Sequence, residues 1–356
     1  MNIQIFTYYY TNNYGAQLQS MALKEFLEEN FQANVNYSRY QPKNLMFREV
    51  YGPLFTKNPL NLYKGLRRMY NFHRWKQKVA KLKSAINYVK INKKKEISIY
   101  GSDEIWNFTN PYFGFSSHFF GESNEGIKIA YATSIGKSNL TDLDKKKMTT
   151  IHKLLESYYS ISVRDLNTAN FVKKITRFDP PIVVDPVLLF TPKLFMSPVP
   201  RKIDSLKKFA IVYGTVFSNN EKKNILDFCK KKNLLLISLG YRNKWVNNNI
   251  TYVDPTQFIQ FLKKAEIVFT SMFHGVMLSF KLKKQFWCTI DPIRRNKLSF
   301  FLDYLELSSR IISDFSNFEN KLDYSDREKK YLDWVVSSKE YLIDSINQSR
   351  FLKENK

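Results

Sequence analysis

The sequence predicts an α/β protein built from two doubly wound domains. Three observations carry that expectation. Short apolar runs alternate along the chain with segments of helical periodicity. The runs end repeatedly in polar, charged or glycine residues, as parallel strands do where α/β folds place function. The alternation lapses over residues 191–206, where Pro192, Pro198 and Pro200 stand among mixed charges, and then begins again. A length of 356 residues suits two domains.

Residues 2–9 read as a first strand and Thr11-Asn12-Asn13-Tyr14-Gly15 as a turn. Leu18, Met21, Leu23 and Leu27 then fall at roughly helical spacing. Gly15 stands without a second and third glycine, so this opening is not the dinucleotide fingerprint. A second strand is expected over Ala33–Tyr37, and later ones at Ile97–Tyr100, Ile127–Ala132, Tyr159–Val163 and Ile182–Val184. Their ends read Gly101-Ser102-Asp103, Thr133-Ser134-Ile135-Gly136, Arg164-Asp165 and Asp185-Pro186. After the linker come strands at 209–213, 234–238, 250–253, 267–270 and 286–290, with helices between them. A long helix is expected from Asp326 to about Phe351. Two doubly wound domains facing across a cleft resemble the two-domain glycosyltransferase type called GT-B.

The 267–270 strand runs into a tight corner, Thr270-Ser271-Met272-Phe273-His274-Gly275, and then a helix. Free N–H groups at a helix start favour an anion. A histidine there can donate a proton or hydrogen-bond a phosphate or carboxylate.

Apolar residues make up 44% of the chain and aromatics 16%, enough for buried cores and against disorder. Cys229 and Cys288 give neither a disulfide framework nor a metal-ligand spacing, and the residues carry no metal motif and no P-loop. Met1–Tyr10 lack the basic start and long apolar run of a signal peptide, and no run approaches the ~20 apolar residues of a membrane span. A cytoplasmic location is expected.

The net charge is +24, and it is uneven. Between Arg39 and Lys95 there are 16 Lys and Arg against Glu49 alone, interleaved with aromatics such as Tyr51, Tyr63, Tyr70 and Trp75. This stretch, about 39–95, reads as an insertion in the first domain holding basic amphipathic helices. Either it is a solvated lysine-rich face, or it meets an anionic partner such as the inner face of the plasma membrane. No nucleic-acid motif accompanies the charge, so nucleic acid is not the expected partner.

Several short signatures occur together in order. They are Asn13-Tyr14-Gly15-Ala16 with Leu18-Gln19; Gly101-Ser102-Asp103-Glu104-Ile105-Trp106-Asn107; Tyr131-Ala132-Thr133-Ser134-Ile135-Gly136; Ser162-Val163-Arg164-Asp165; and Phe273-His274-Gly275. In these the chain resembles the polysaccharide pyruvyltransferase family. Met272 stands where the family usually has Ser or Arg, and Asn296-Lys297-Leu298 where a Ser-Arg-Ile pattern is usual.

The resemblance implies transfer of a pyruvyl group from phosphoenolpyruvate to a sugar of a cell-surface polysaccharide or lipid-linked oligosaccharide, as a ketal, with no further cofactor and no metal. It casts residues 1–195 as the acceptor domain, 205–325 as the donor domain, and 326–356 as a terminal helix crossing back to the first. His274 is the expected general acid or phosphate contact. Arg164 suits bidentate binding of carboxylate or phosphate, or else pairs with a carboxylate of its own chain. Ser271 is expected to cap the helix and Gly275 to let the backbone approach the donor, with Arg294, Arg295 and Lys297 as further donor-binding cations. Asn12, Asn13 and Gly15 are acceptor-binding candidates. Asp103 is expected either to serve the acceptor as base or hydrogen-bonding group, or to cap a turn. Trp106 is expected to stack on a sugar ring or to pack in the core. The alternative reading is a nucleotide-sugar glycosyltransferase on the same scaffold.

Overall fold

A computed structural model of the chain describes residues 1–78, 97–122, 126–290, 295–314 and 316–354, and strands and helices are interspersed along it. The order begins β1 (Asn2–Phe6), α1 (Tyr14–Phe31), β2 (Asn34–Tyr37), α2 (Lys43–Tyr51), α3 (Pro59–Lys78), β3 (Ile97–Tyr100) and β4 (Ile127–Thr133). It continues with α4 (Lys145–Glu156), β5 (Ser160–Val163), α5 (Leu166–Ile175), α6 (Pro186–Leu189), α7 (Arg201–Asp204), β6 (Phe209–Tyr213), α8 (Asn219–Lys231) and β7 (Leu235–Leu239). The remainder is β8 (Asn248–Ile250), α9 (Pro255–Lys264), β9 (Ile267–Thr270), α10 (Phe273–Lys281), β10 (Gln285–Cys288), α11 (Arg295–Tyr304) and α12 (Ser325–Glu354).

Local chemistry accounts for the helix starts. Asn13, Asp144, Asp165 and Asp185 each accept a backbone N–H from the first turn of the helix that follows. Ser218 with Glu221 and Asp254 with Gln257 form reciprocal capping boxes at α8 and α9, and Pro255 opens α9 with its φ already set.

The chain divides into two compact units. The first takes the described residues of Met1–Arg48, Ser84–Thr191 and Lys330–Lys356. Its sheet is parallel throughout, in the order β2-β1-β3-β4-β5. Tyr100, Trp106, Phe119, Phe120 and Tyr158 gather in one buried aromatic cluster. From residue 330 onward α12 packs on this unit: Trp334 Nε1 donates to the Ile182 carbonyl at 2.9 Å, and Val184 N donates to Ser338 Oγ at 3.1 Å. Leu342 and Ile346 on the same helix are fully buried.

The second unit takes the described residues of Glu49–Lys83 and Pro192–Lys329. Its sheet is also parallel, in the order β10-β9-β6-β7-β8. Each unit is therefore Rossmann-like, and the α/β class is as the sequence predicts. Cys229 and Cys288 are buried free thiols in this unit, and burial pushes each up to about 12.

One expectation is corrected. The basic stretch was expected to be an insertion of the first domain, yet α3 packs within the second unit. Arg68 donates to the Gly240 carbonyl at 2.5 Å, Asn71 to the Tyr252 carbonyl at 2.5 Å, and Trp75 Nε1 to Thr256 Oγ1 at 2.9 Å. The reason is spacing. Gly65, Arg68, Phe72 and Trp75 form one stripe facing β7–α9, and that stripe finds its partners far away in sequence. Beyond β10, Ile311 makes one isolated parallel bridge with Cys288.

Candidate functional site

Both sheets reverse their strand order once, and several of the residues singled out by sequence stand at those two reversals. In the first sheet β1 lies between β2 and β3, so the path turns back between β1 and β3. In the second it turns back between β6 and β9. Connections leave a crevice beyond the carboxyl ends of the strands at such a point, and open α/β sheets bind ligands there.

At the first reversal Thr7 follows β1 and Ser102-Asp103 follow β3. Thr7 Oγ1 donates to the Ser102 carbonyl at 2.9 Å and accepts from Gln19 Nε2 at 2.9 Å. Asp103 holds a left-handed φ of 81°, uncommon for a side chain with a Cβ. Its Oδ1 accepts from Glu104 N at 2.8 Å and from Arg164 Nη2 at 3.4 Å. Its side chain is 16% exposed, and Oδ2 has no protein partner among the described residues. A carboxylate held by one oxygen and open at the other is placed to accept a hydroxyl proton or hydrogen bond.

Arg164 differs from the donor-binding expectation. Its side chain is 1% exposed, and Nη1 bonds Asp185 Oδ2 at 2.7 Å. Ser102 Oγ donates to the same carboxylate oxygen at 3.3 Å. Burial opposes the charge, but Asp185 and then Asp103 outweigh it and hold the guanidinium above its ordinary range. The cation is thus a buried tie between the β3, β5 and α6 ends. Asp185 completes the tie by accepting Val187 N at the start of α6, at 3.1 Å.

The acceptor candidates separate. Asn13 caps α1 by accepting Ala16 N at 3.3 Å, and Asn12 and Gly15 are buried in the same turn. Of the two roles expected for Trp106, the structure takes core packing. The side chain is fully buried, stacks on Phe120 with ring centroids 5.5 Å apart, and donates Nε1 to the Phe119 carbonyl at 2.9 Å. An indole enclosed in the core has no face to offer a sugar.

At the second reversal Gly214 follows β6 and Ser271 follows β9. Thr270 Oγ1 donates to the Tyr213 carbonyl at 2.7 Å and accepts from Met272 N at 3.0 Å, which turns the chain into α10. Met272 is the cap residue of α10 and makes no side-chain cap bond. Ser271 therefore does not cap the helix. It is fully buried, and its Oγ accepts Val216 N from the neighbouring loop at 3.3 Å.

His274 occupies the second position of α10 and is half-buried, its ring 5.3 Å from that of Phe273. Gly275 is tightly enclosed: a Cβ there would lie 2.1 Å from Thr270 Oγ1 and 2.8 Å from Tyr213 Cδ1. Its missing side chain lets α10 start directly over the β6 and β9 ends, which sets where His274 stands.

Two further residues belong to this corner and escaped the sequence reading. Gly214 has φ +120°, and a Cβ on it would meet Ser271 Oγ at 2.2 Å. Asn243 is buried and donates to the Gly214 carbonyl at 2.9 Å and to Ser238 Oγ at 2.8 Å. Gly214 was visible as a glycine after an apolar run. Asn243 had no sequence signal, because its partners lie 29 and 5 residues away. Arg295 and Lys297 lie in the first turn of α11, and Arg294 lies outside the described residues.

A sequence model of the polysaccharide pyruvyl transferase family matches residues 13–290. No curated protein matches the chain. Among solved structures, a Listeria monocytogenes protein provisionally assigned as a UDP-N-acetylglucosamine 2-epimerase superposes with a TM-score of 0.50 at 11% identity, covering 99% of this chain and 97% of that one. The UDP-GlcNAc 2-epimerase of Neisseria meningitidis gives 0.49 at 9% identity, over 98% of this chain and 100% of that one. The E. coli heptosyltransferase WaaC gives 0.34 at 10% identity, over 84% or less of this chain in either of two structures: 82% here, with 89% of its own. At 11% identity the likeness to the Listeria protein is one of fold.

Proposed function

The chain belongs to the polysaccharide pyruvyl transferase family, a family of transferases, and from that premise we propose that it moves the pyruvyl group of phosphoenolpyruvate onto two hydroxyls of a glycan or lipid-linked sugar. The observation that carries this reading is the placement of His274, half-buried in the first turn of α10 at the strand reversal of the second unit.

The donor has a phosphate and a carboxylate on a three-carbon enol. The N–H groups of the first turn of α10 supply positive potential for one of these anions. His274, on the same turn, delivers a proton to the enol methylene, making it a methyl group and leaving the adjacent carbon electrophilic. One sugar hydroxyl adds to that carbon. The second then displaces inorganic phosphate from it and closes the ketal. Each hydroxyl gives up its proton, so two protons leave the acceptor while one enters the methyl group and one leaves with the phosphate. Of the cations expected at the donor, Arg164 drops out because Asp185 and Asp103 already hold it.

The test is release of inorganic phosphate from phosphoenolpyruvate in the presence of glycan acceptor. His274→Ala is expected to lower kcat by about 10²–10⁴, with the thermal midpoint little changed. A variant with full activity would overturn the assignment. Tight binding of a sugar nucleotide, with no binding of phosphoenolpyruvate, would instead favour a glycosyltransferase.

A further inference from the structure

A helix on a globular surface ordinarily buries one apolar face and leaves the other polar. Helix α3 does not follow that pattern. Its inner stripe, with Phe72 and Trp75 buried, is satisfied within the second unit. Its outer stripe carries Leu60, Tyr63, Leu66 and Tyr70 at spacings of three, three and four residues, and these are 60%, 58%, 52% and 58% exposed. Large apolar side chains are thus set out in a row on a helix that needs none of them to fold.

The charges around the row have one sign. From Tyr51 to Lys78 there is no Asp or Glu, and Lys57, Arg67, Arg74 and Lys78 are all exposed. Two of these cations lie on aromatic rings. Arg67 stands 4.1 Å over Tyr252, and Arg74 5.5 Å from the Tyr70 centroid, so both guanidinium groups are held near the surface of the helix. Among the described residues no helix is long and apolar enough to cross a membrane.

We infer that the outer face of α3 docks the protein on an anionic lipid bilayer, with the helix lying in the headgroup layer. Leucines and tyrosines enter the boundary of the acyl region, and the flanking Lys and Arg meet lipid phosphates. Charge decides between occupants. A second copy of the chain, docked face to face through this row, would bring cations against cations. A nucleic acid would meet the cations but leave the leucines unused. Only an anionic surface with an apolar layer beneath it complements both.

Binding to vesicles is read without either substrate, so its result is separate from that of the pyruvyl-transfer assay. The full-length protein is sedimented with vesicles of phosphatidylcholine alone and with vesicles containing phosphatidylglycerol. Binding is expected only to the anionic vesicles, falling as salt is raised. The double variant Leu60→Ser, Leu66→Ser and the double variant Arg67→Glu, Arg74→Glu should each weaken it by about tenfold or more. Both should keep the wild-type thermal midpoint, since these side chains are exposed. Equal binding to neutral and anionic vesicles, or unchanged binding by the leucine variant, would overturn the proposal. So would tight binding to an RNA or DNA oligonucleotide that survives the leucine substitutions while vesicles are left unbound.

Discussion

Arg164 shows how a residue's chemistry can suit a ligand while its surroundings use it otherwise. A guanidinium at a strand end matches phosphate or carboxylate, but Asp185 and Asp103 reach it first and bury it. Breaking a buried pair by removing one partner strands the other charge. Arg164→Met is therefore expected to cost about 3–5 kcal/mol of stability, seen as a lower urea midpoint. A variant that keeps its midpoint and raises only the KM for donor would return Arg164 to a binding role. The sequence could not settle this, because Asp185 stands 21 residues beyond Arg164 and nothing local announces the pairing. Trp106 was obscure for a similar reason: its enclosure depends on Phe119, Phe120 and Tyr158 together. The corner at His274 was readable in advance, because a short apolar run, a polar turn and a glycine are contiguous signals.

At the scale of the element, α3 was readable as a basic amphipathic helix, but its place in the second unit was not. Its inner stripe bonds to residues more than 170 positions away, and no periodicity encodes that choice. The same burial produces a testable pH effect at Lys76, which is 4% exposed. Burial lowers its ammonium to about 7, against a smaller opposing pull from Glu49. Between about 7 and the ordinary lysine value of 10.5 the unfolded chain therefore binds more protons than the folded one. Stability contributed through this group rises with pH across that window, and the penalty is full below it. Lys76→Met should raise stability by about 1–3 kcal/mol at pH 7, with the gain shrinking as the pH approaches 10.5. Denaturant titrations at several pH values check this. A gain independent of pH would assign it to packing alone.

At the scale of the whole molecule, the strand order of both sheets explains why scattered motifs converge. Neither reversal point can be read from one strand. It follows from which strands pair, so the sequence located the strand ends but not the two that adjoin each crevice. The units are also discontinuous in the chain, which makes the simple division at the proline-rich stretch incomplete. A fragment of residues 192–329 lacks α3, and with it the donors that reach the Gly240 and Tyr252 carbonyls. Such a fragment is expected to melt at a lower temperature than one joined to residues 49–78, and a peptide of residues 57–78 should raise its midpoint. An unchanged midpoint would show that α3 is dispensable to the second unit.

The packing of α12 on the first unit has a consequence for biosynthesis. Strands β1 to β5 leave the ribosome early, but the carbonyl of Ile182 and the amide of Val184 meet Trp334 and Ser338 only after the second unit has been translated. Nascent chains ordinarily complete an N-terminal domain first. Here the earlier half must wait for residues 330–354, so a product terminated just before them would carry every segment of the second unit and an unfinished first one.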